Sequence, residues 1–386
     1  MGRLFHLFLG VGLASIIAFG VVSPALAADK TRRAAISADG AAYALLQRMG
    51  DQGVVSFHRI DDPRRKPTGG ALGDHDVDRL HWKGGSHVVI RIVGMDATVR
   101  STRGLTDMSF SRWISVDATS GDTKNFFGNE GGNDYGYYIG SAGELQATAP
   151  NDPKKLIFSR STIERVISGP SRLSGNKEDS IVYALQQVDV ASGRKKRLRM
   201  GETQTQAWFV DADGDVVARV DCDENGGVHE LYTPEGRLLR KASQVASGSY
   251  KAFRVYGPAP EPGKLIVSTQ MEKGPMQFRR LDIATGALGD GEFSVSAPVV
   301  ETVYDPRRAR VHAVVHGGGR RVRHFDADDQ ALQAMFERSL PGSAVLIESA
   351  SVDRTRFIVK AAYADKETER YLYDASNKRF ELIARG

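Results

Sequence analysis

Arg280-Leu281-Asp282-Ile283-Ala284-Thr285-Gly286 decides how this chain is read: a β-rich run, an aspartate, small polar residues and a glycine, after which a second run begins. Asp and Thr side chains fold back onto backbone amides, and glycine accepts the positive φ of a tight connection. The segment therefore predicts two antiparallel strands and the turn between them. The pattern returns in Trp113-Ile114-Ser115-Val116-Asp117-Ala118-Thr119-Ser120-Gly121, in Gln187-Val188-Asp189-Val190-Ala191-Ser192-Gly193 and in Glu230-Leu231-Tyr232-Thr233-Pro234-Glu235-Gly236. Val55 to Pro63, Val322-Arg323-His324-Phe325-Asp326 and Tyr371 to Asn377 complete the set, the sixth copy having less turn chemistry. Centred on residues 61, 117, 189, 233, 282, 326 and 374, the copies fall about 52 residues apart on average. About 50 residues is the length of one four-stranded propeller blade. The single gap of 72 predicts an insertion within 135–151 or 168–178.

A second pattern lies upstream of each hairpin: a polar turn that feeds an apolar strand. Examples are Ile36-Ser37-Ala38-Asp39-Gly40, His81-Trp82-Lys83-Gly84-Gly85 before Val88-Val89-Ile90, and Asn151-Asp152-Pro153-Lys154-Lys155 before Leu156-Ile157-Phe158. Asp211-Ala212-Asp213-Gly214-Asp215 and Ser351-Val352-Asp353-Arg354-Thr355 repeat it. Two linked patterns on one period predict an all-β, seven-bladed β-propeller over residues 28–386. Helical spacing is scarce; Asp328–Ser339 carries it, with Leu332, Met335 and Phe336 on one face. Ala41–Met49 reads as a strand despite its helical propensity.

The Asp-Gly-strand units, the hairpins ending in Asp-x-x-[Thr/Ser]-Gly, and the run from Tyr304-Asp305-Pro306-Arg307-Arg308 through Phe325-Asp326 carry a family resemblance. Together with Trp208–Leu231 and Glu369–Arg385, they resemble the propeller of exported S9-type (prolyl oligopeptidase family) serine peptidases, and of other TolB-like propellers. The resemblance covers most of residues 35–386. It implies a substrate-gating lid over an α/β-hydrolase lobe, whose Gly-x-Ser-x-Gly elbow exposes the nucleophile. No serine in this sequence has glycine at both −2 and +2; Gly140-Ser141-Ala142-Gly143 and Gly169-Pro170-Ser171 fail the spacing. The expectation is a propeller without its hydrolase.

The ends and the charge set the context. Arg3, the apolar run Leu7–Val22 and Ala25-Leu26-Ala27 form a Sec-type signal peptide, residues 1–27, cleaved after Ala27. The run is too short and glycine-interrupted for a membrane span. The mature chain is expected in the periplasm or medium, without a span. Its single cysteine, Cys222, allows no internal disulfide. The formal charge of +5 falls by one with Arg3 and is interspersed, which argues against a nucleic-acid partner.

Several clusters invite chemistry, and each has a plainer reading. Asp221-Cys222-Asp223-Glu224-Asn225-Gly226 resembles half a calcium loop, but Tyr232 stands where the closing Glu belongs. Asp211–Asp215 reads as a hairpin turn. His312 and His316 lie on a strand, about 13 Å apart at about 3.3 Å per residue, too far to share an ion. Asp74-His75-Asp76-Val77-Asp78 with His81 reads as a solvated loop between blades one and two. The basic run Arg194–Arg199 reads as an outer strand using charge against edge pairing. Trp82, Trp113 and Trp208 read as core, and Cys222 lacks an evident activating neighbour.

No residue is therefore assigned a catalytic, cofactor-binding or metal-ligating role. The functional expectation is a binding or accessory module that takes a peptide or protein on its tunnel or top face. The alternative is the propeller half of a split peptidase, with a separate serine hydrolase as partner. A propeller enzyme using loop residues is the third reading, and needs histidines and carboxylates converging at the tunnel mouth.

Overall fold

Runs such as Leu265-Ile266-Val267 need apolar cover on both faces of their strand, because successive side chains point to opposite sides. Stacked sheets supply that cover. A computed structural model of the chain describes residues 31–101, 104–127, 143–168, 176–222, 228–243, 253–270, 274–296 and 298–386. Residues 1–27, read as a signal peptide, lie outside the described residues, as do 223–227 of the calcium-loop candidate.

Seven antiparallel sheets follow one another along the chain: 31–73, 76–125, 144–200, 205–243, 253–295, 299–324 and 343–385. We number these blades one to seven. Among the described residues, six blades have four strands and blade six has three. Each blade is built from consecutive strands, so each register closes locally.

The core lies between blades. Val88 and Ile90 join Val55 and Phe57 of blade one, while Val89 between them joins Phe158 of blade three. Leu265 and Val267 pack on Phe209 and Leu231 of blade four, while Ile266 packs on Val311 and Val314 of blade six. The tryptophans tie neighbouring blades by their indole N–H groups. Trp82 donates to Ala35 O at 2.9 Å, Trp113 to Gly143 O at 3.0 Å and Trp208 to Tyr183 O at 2.8 Å.

Among the described residues, blade seven meets blade one without lending it a strand. The seam is closed by Ala34, Ile36 and Leu45 packed on Ile358 and Leu372, by the Val352 N–H on Ala38 O (2.8 Å), and by Arg356 donating to Gly40 O (2.7 Å).

The repeated aspartates sit at the turn between third and fourth strands. Asp117 Oδ1 accepts from the Thr119 and Ser120 amides, Asp189 Oδ1 from Ala191 and Ser192, and Asp282 Oδ1 from Thr285. Gly286 follows at φ 74°, its α-carbon so close to blade four that a Cβ would stand 2.9 Å from Leu239 O. In blade six the same position is Asp326, whose carboxylate accepts from the Asp328 and Asp329 amides and caps helix α1, Ala327–Ser339. The helix drives Phe336 among Phe357, Tyr373 and Phe380 of blade seven. Ala42–Met49 is a strand.

The 72-residue spacing has a visible component in blade three, where Lys155–Ser168 and Asn176–Asp189 pair over 14 positions. Residues 135–142, the greater part of the other proposed insertion, lie outside the described residues. Blade two carries a similar arm, His87–Ser101 with Gly104–Asp117. The basic run forms Lys195–Met200, the exposed outer strand of blade three.

One reading is corrected. Asp76–Lys83 is the inner strand of blade two and not a loop. Its carboxylates are held by arginines, Asp76 by Arg48 at 3.0 Å and Asp78 by Arg91. Alternating charges on an edge strand look like a loop when their cross-strand partners are not known.

Candidate functional site: the central channel

Inner strands of all seven blades border a cavity of about 430 Å³ on the ring axis. Blades one, two, three, six and seven line most of it; blade four contributes Phe209 and blade five Tyr256. The reason is a contact across the ring. Tyr304 of blade six donates its hydroxyl to Gln146 O of blade three at 2.8 Å, and the Thr148 amide donates to Pro306 O at 2.7 Å. Ala309, in the same blade-six turn, is fully buried against Ala147, Ile157 and Trp208. The turn Asp305–Ala309 thus reaches over the axis and narrows a ring channel to a recess.

This turn makes its reversal without glycine: Ala309 takes φ 47°. Arg354, in the equivalent turn of blade seven, takes φ 57°. Such conformations cost a non-glycine residue of order 1 kcal/mol and persist where surrounding contacts hold them. For Arg354 that contact is Asp329, whose Oδ1 accepts from its guanidinium.

Charges on the wall are mostly matched. Arg91 spans Asp78 and Glu144, joining blades two and three. Glu348 accepts from the buried Arg370 at 2.8 Å. Burial pushes Asp305 up, but Arg307, His312 and Arg308 outweigh it and keep the carboxyl below its ordinary range. Two cations are not matched: among the described residues neither Arg33 nor Arg79 has a carboxylate partner, and Arg79 donates only to the carbonyl of Asp78 at 3.3 Å. His81, which also lines the recess, is pushed down to about 3, by burial first and then by Arg79. It is neutral at pH 7 and its ring lies over Trp113 at 6.2 Å. The recess therefore presents two guanidinium groups without a carboxylate partner beside an uncharged aromatic surface.

Below the recess, Lys83 is buried and directs its ammonium to the carbonyls of Thr148, Ala149 and Asp152, locking the first turn of blade three. Burial pushes it down to about 8, opposed by Asp152.

A second cluster lies beside the wall. His312 Nδ1 is 3.1 Å from Asp329 Oδ2, and the His312 and His324 rings meet edge to face at 4.6 Å. Burial pushes His324 down to about 4. His312 and His316 share the strand Arg310–His316, as the spacing predicts. The partner of His312 is instead His324 on the neighbouring strand, with Asp329 from the first turn of α1. Sequence reasoning missed both; the signal was a sixth repeat that drops its turn residues and enters a helix. Arg33 and Arg79 carried no signal, being single arginines in strands. Asp211 accepts from the Asp213 and Asp215 amides, a turn, and Asp221 is held by Thr205 and Arg219.

The topology defines a seven-bladed, all-β propeller. Its neighbours among solved structures include S9 peptidases, the class that the blade pattern resembles. A prolyl endopeptidase studied for inter-domain dynamics is 11% identical with a TM-score of 0.48, over 92% of this chain and 50% of that one. Prolyl oligopeptidase B from Galerina marginata is 9% identical with a TM-score of 0.48, over 93% and 51%. TolB from Acinetobacter baumannii is 12% identical with a TM-score of 0.35, over 91% and 65%. The chain spans about half the length of the prolyl oligopeptidases it matches. No family model matches it, and no curated protein is similar in sequence. The blade count rests on the sheets, not on these likenesses.

Proposed function

We propose that the chain is an exported binding module whose central recess takes a short, extended segment of a peptide or protein, anchored by an acidic group. The observation that carries this reading is the pair Arg33 and Arg79, without a carboxylate partner among the described residues in a recess where Arg307, Arg308 and Arg354 each have one. A desolvated guanidinium gains most from a carboxylate it can grip in bidentate fashion. The cavity, about 430 Å³, is of the size that holds a few residues. Trp113, Tyr256 and the neutral His81 give the segment apolar cover.

The test is capture from a periplasmic extract with the tag-free mature protein and with an Arg33→Glu/Arg79→Glu variant, followed by mass spectrometry. Peptides or proteins retained by the first and lost by the second support the reading. Equal retention by both, or none above the bare matrix, overturns it. Adding a serine-directed covalent probe to the eluate reports whether a captured partner is a hydrolase.

A further inference from the structure

Two acceptor atoms beside the channel wall are buried without a hydrogen-bond partner, His324 Nδ1 and Asp329 Oδ2. His324 is 4% exposed and Asp329 1%. Their neighbours determine which atoms carry protons. The Gln333 amide nitrogen donates to Val345 O at 2.8 Å and to Glu337 Oε1 at 2.9 Å. Its oxygen therefore faces His324 Nε2, at 3.3 Å, and can only accept. His324 carries its proton on Nε2, so Nδ1 is a bare lone pair. Arg354 occupies Asp329 Oδ1, leaving Oδ2 toward His312 Nδ1, at 3.1 Å but short of hydrogen-bond geometry. An acceptor buried at this depth without a donor loses its hydration and gains nothing in return. A cation relieves both together.

We propose that His312, His324 and Asp329 bind a divalent first-row transition ion of the kind Zn²⁺ represents. One donor atom of each lies within 4.8 Å of the other two. The 3.1 Å between His312 and Asp329 is the spacing of two adjacent ligands on one ion at about 2.0–2.2 Å. The wider pair draws in by roughly 1 Å to reach such lengths, a rotation of the His324 ring. Gln333 then plays the part of the outer acceptor that orients a ligating imidazole. Two nitrogens and one oxygen suit Zn²⁺ or Co²⁺; Ca²⁺ and Mg²⁺ need oxygen ligands in greater number. The arginines sharpen that choice: Arg354 and Arg308, the latter 4.0 Å from Asp329, oppose a cation held by charge alone. His312 also borders the recess, so the ion is reached from the channel.

The test strips tag-free mature protein with a chelator, then titrates it with Co²⁺ and separately with Zn²⁺. One Co²⁺ per chain with visible d–d bands, displaced by Zn²⁺, and a raised Tm with Zn²⁺ are expected. Asp329→Asn and His312→Gln should each weaken uptake at least tenfold while keeping the β-sheet circular dichroism; His316→Gln, on the same strand, should leave it unchanged. If Asp329→Asn unfolds, His312→Gln decides. No bands and no Tm rise at millimolar metal would show that a water or a proton joins these acceptors, and overturns the site. Equal uptake by wild type and His312→Gln overturns it too.

Discussion

Lys83 shows how much one buried side chain settles here. Three carbonyls of blade three converge on its ammonium, so replacement by methionine removes a charge-assisted hydrogen bond from each, Ala149 O and Asp152 O keeping only the amides of Asp152 and Lys155. Lys83→Met is expected to lower the unfolding free energy by about 3 kcal/mol, read by urea titration. Histidines set the response to acid. Burial pushes His58 down to about 4, and burial then Arg79 push His81 to about 3. Arg33 and Arg307 add to the fall at His81, and Asp305 opposes it. Between those values and the ordinary 6.5 the unfolded chain binds more protons than the native one. The stabilisation is thus complete above about pH 6.5 and is lost as pH falls toward 4. Tm should be near its plateau at pH 7, then fall from pH 6.5 downward. His58→Phe should flatten part of that slope; a wild-type Tm level to pH 5 contradicts the assignment.

Among elements, the outer position of blade six is the informative one. Other blades follow their third strand with a turn and a fourth strand, and blade six follows it with α1. The same aspartate chemistry serves both, because an Asx turn and an N-cap each offer a carboxylate oxygen to amides two and three residues on. Asp326→Ala should cost about 1 kcal/mol and Asp326→Asn much less, measured by chemical unfolding. Phe336→Ala should cost about 3–5 kcal/mol, since it empties a site bounded by three aromatic rings of blade seven. The same replacement of turn by helix brings Asp329 and Gln333 to the two histidines, which a fourth strand could not do.

At the scale of the ring, closure and the channel are coupled through blades six, seven and one. Among the described residues no strand is shared across the seam, so its strength rests on the packing of Ile36, Leu45 and Ile358 and on a few hydrogen bonds. Ile358→Ala, at a fully buried site, is expected to lower stability by about 2–5 kcal/mol. Tyr304→Phe tests the contact across the axis. It removes one bond from blade six to blade three, and the Thr148 amide should then exchange with deuterium roughly fivefold faster while Tm changes little.

Blade number and the strand pairs were legible because a turn and the strand it feeds are local: Asp282 and Gly286 are four residues apart, and Leu265-Ile266-Val267 declares two buried faces by itself. The tryptophans were legible as core for the same reason, being large apolar groups inside strand patterns. The recess was not. Arg33 and Arg79 differ from Arg91 in lacking a carboxylate partner, which no local pattern declares, and Tyr304 meets Gln146 at a separation of 158 residues. His312, His324 and Asp329 come from two strands and a helix, so their meeting depends on the register of Ala313 with His324 and on where Asp326 starts α1. Local periodicity carries the architecture because each blade closes on itself; contacts between blades depend on how the ring sets one sheet against the next, and no single stretch of chain encodes that.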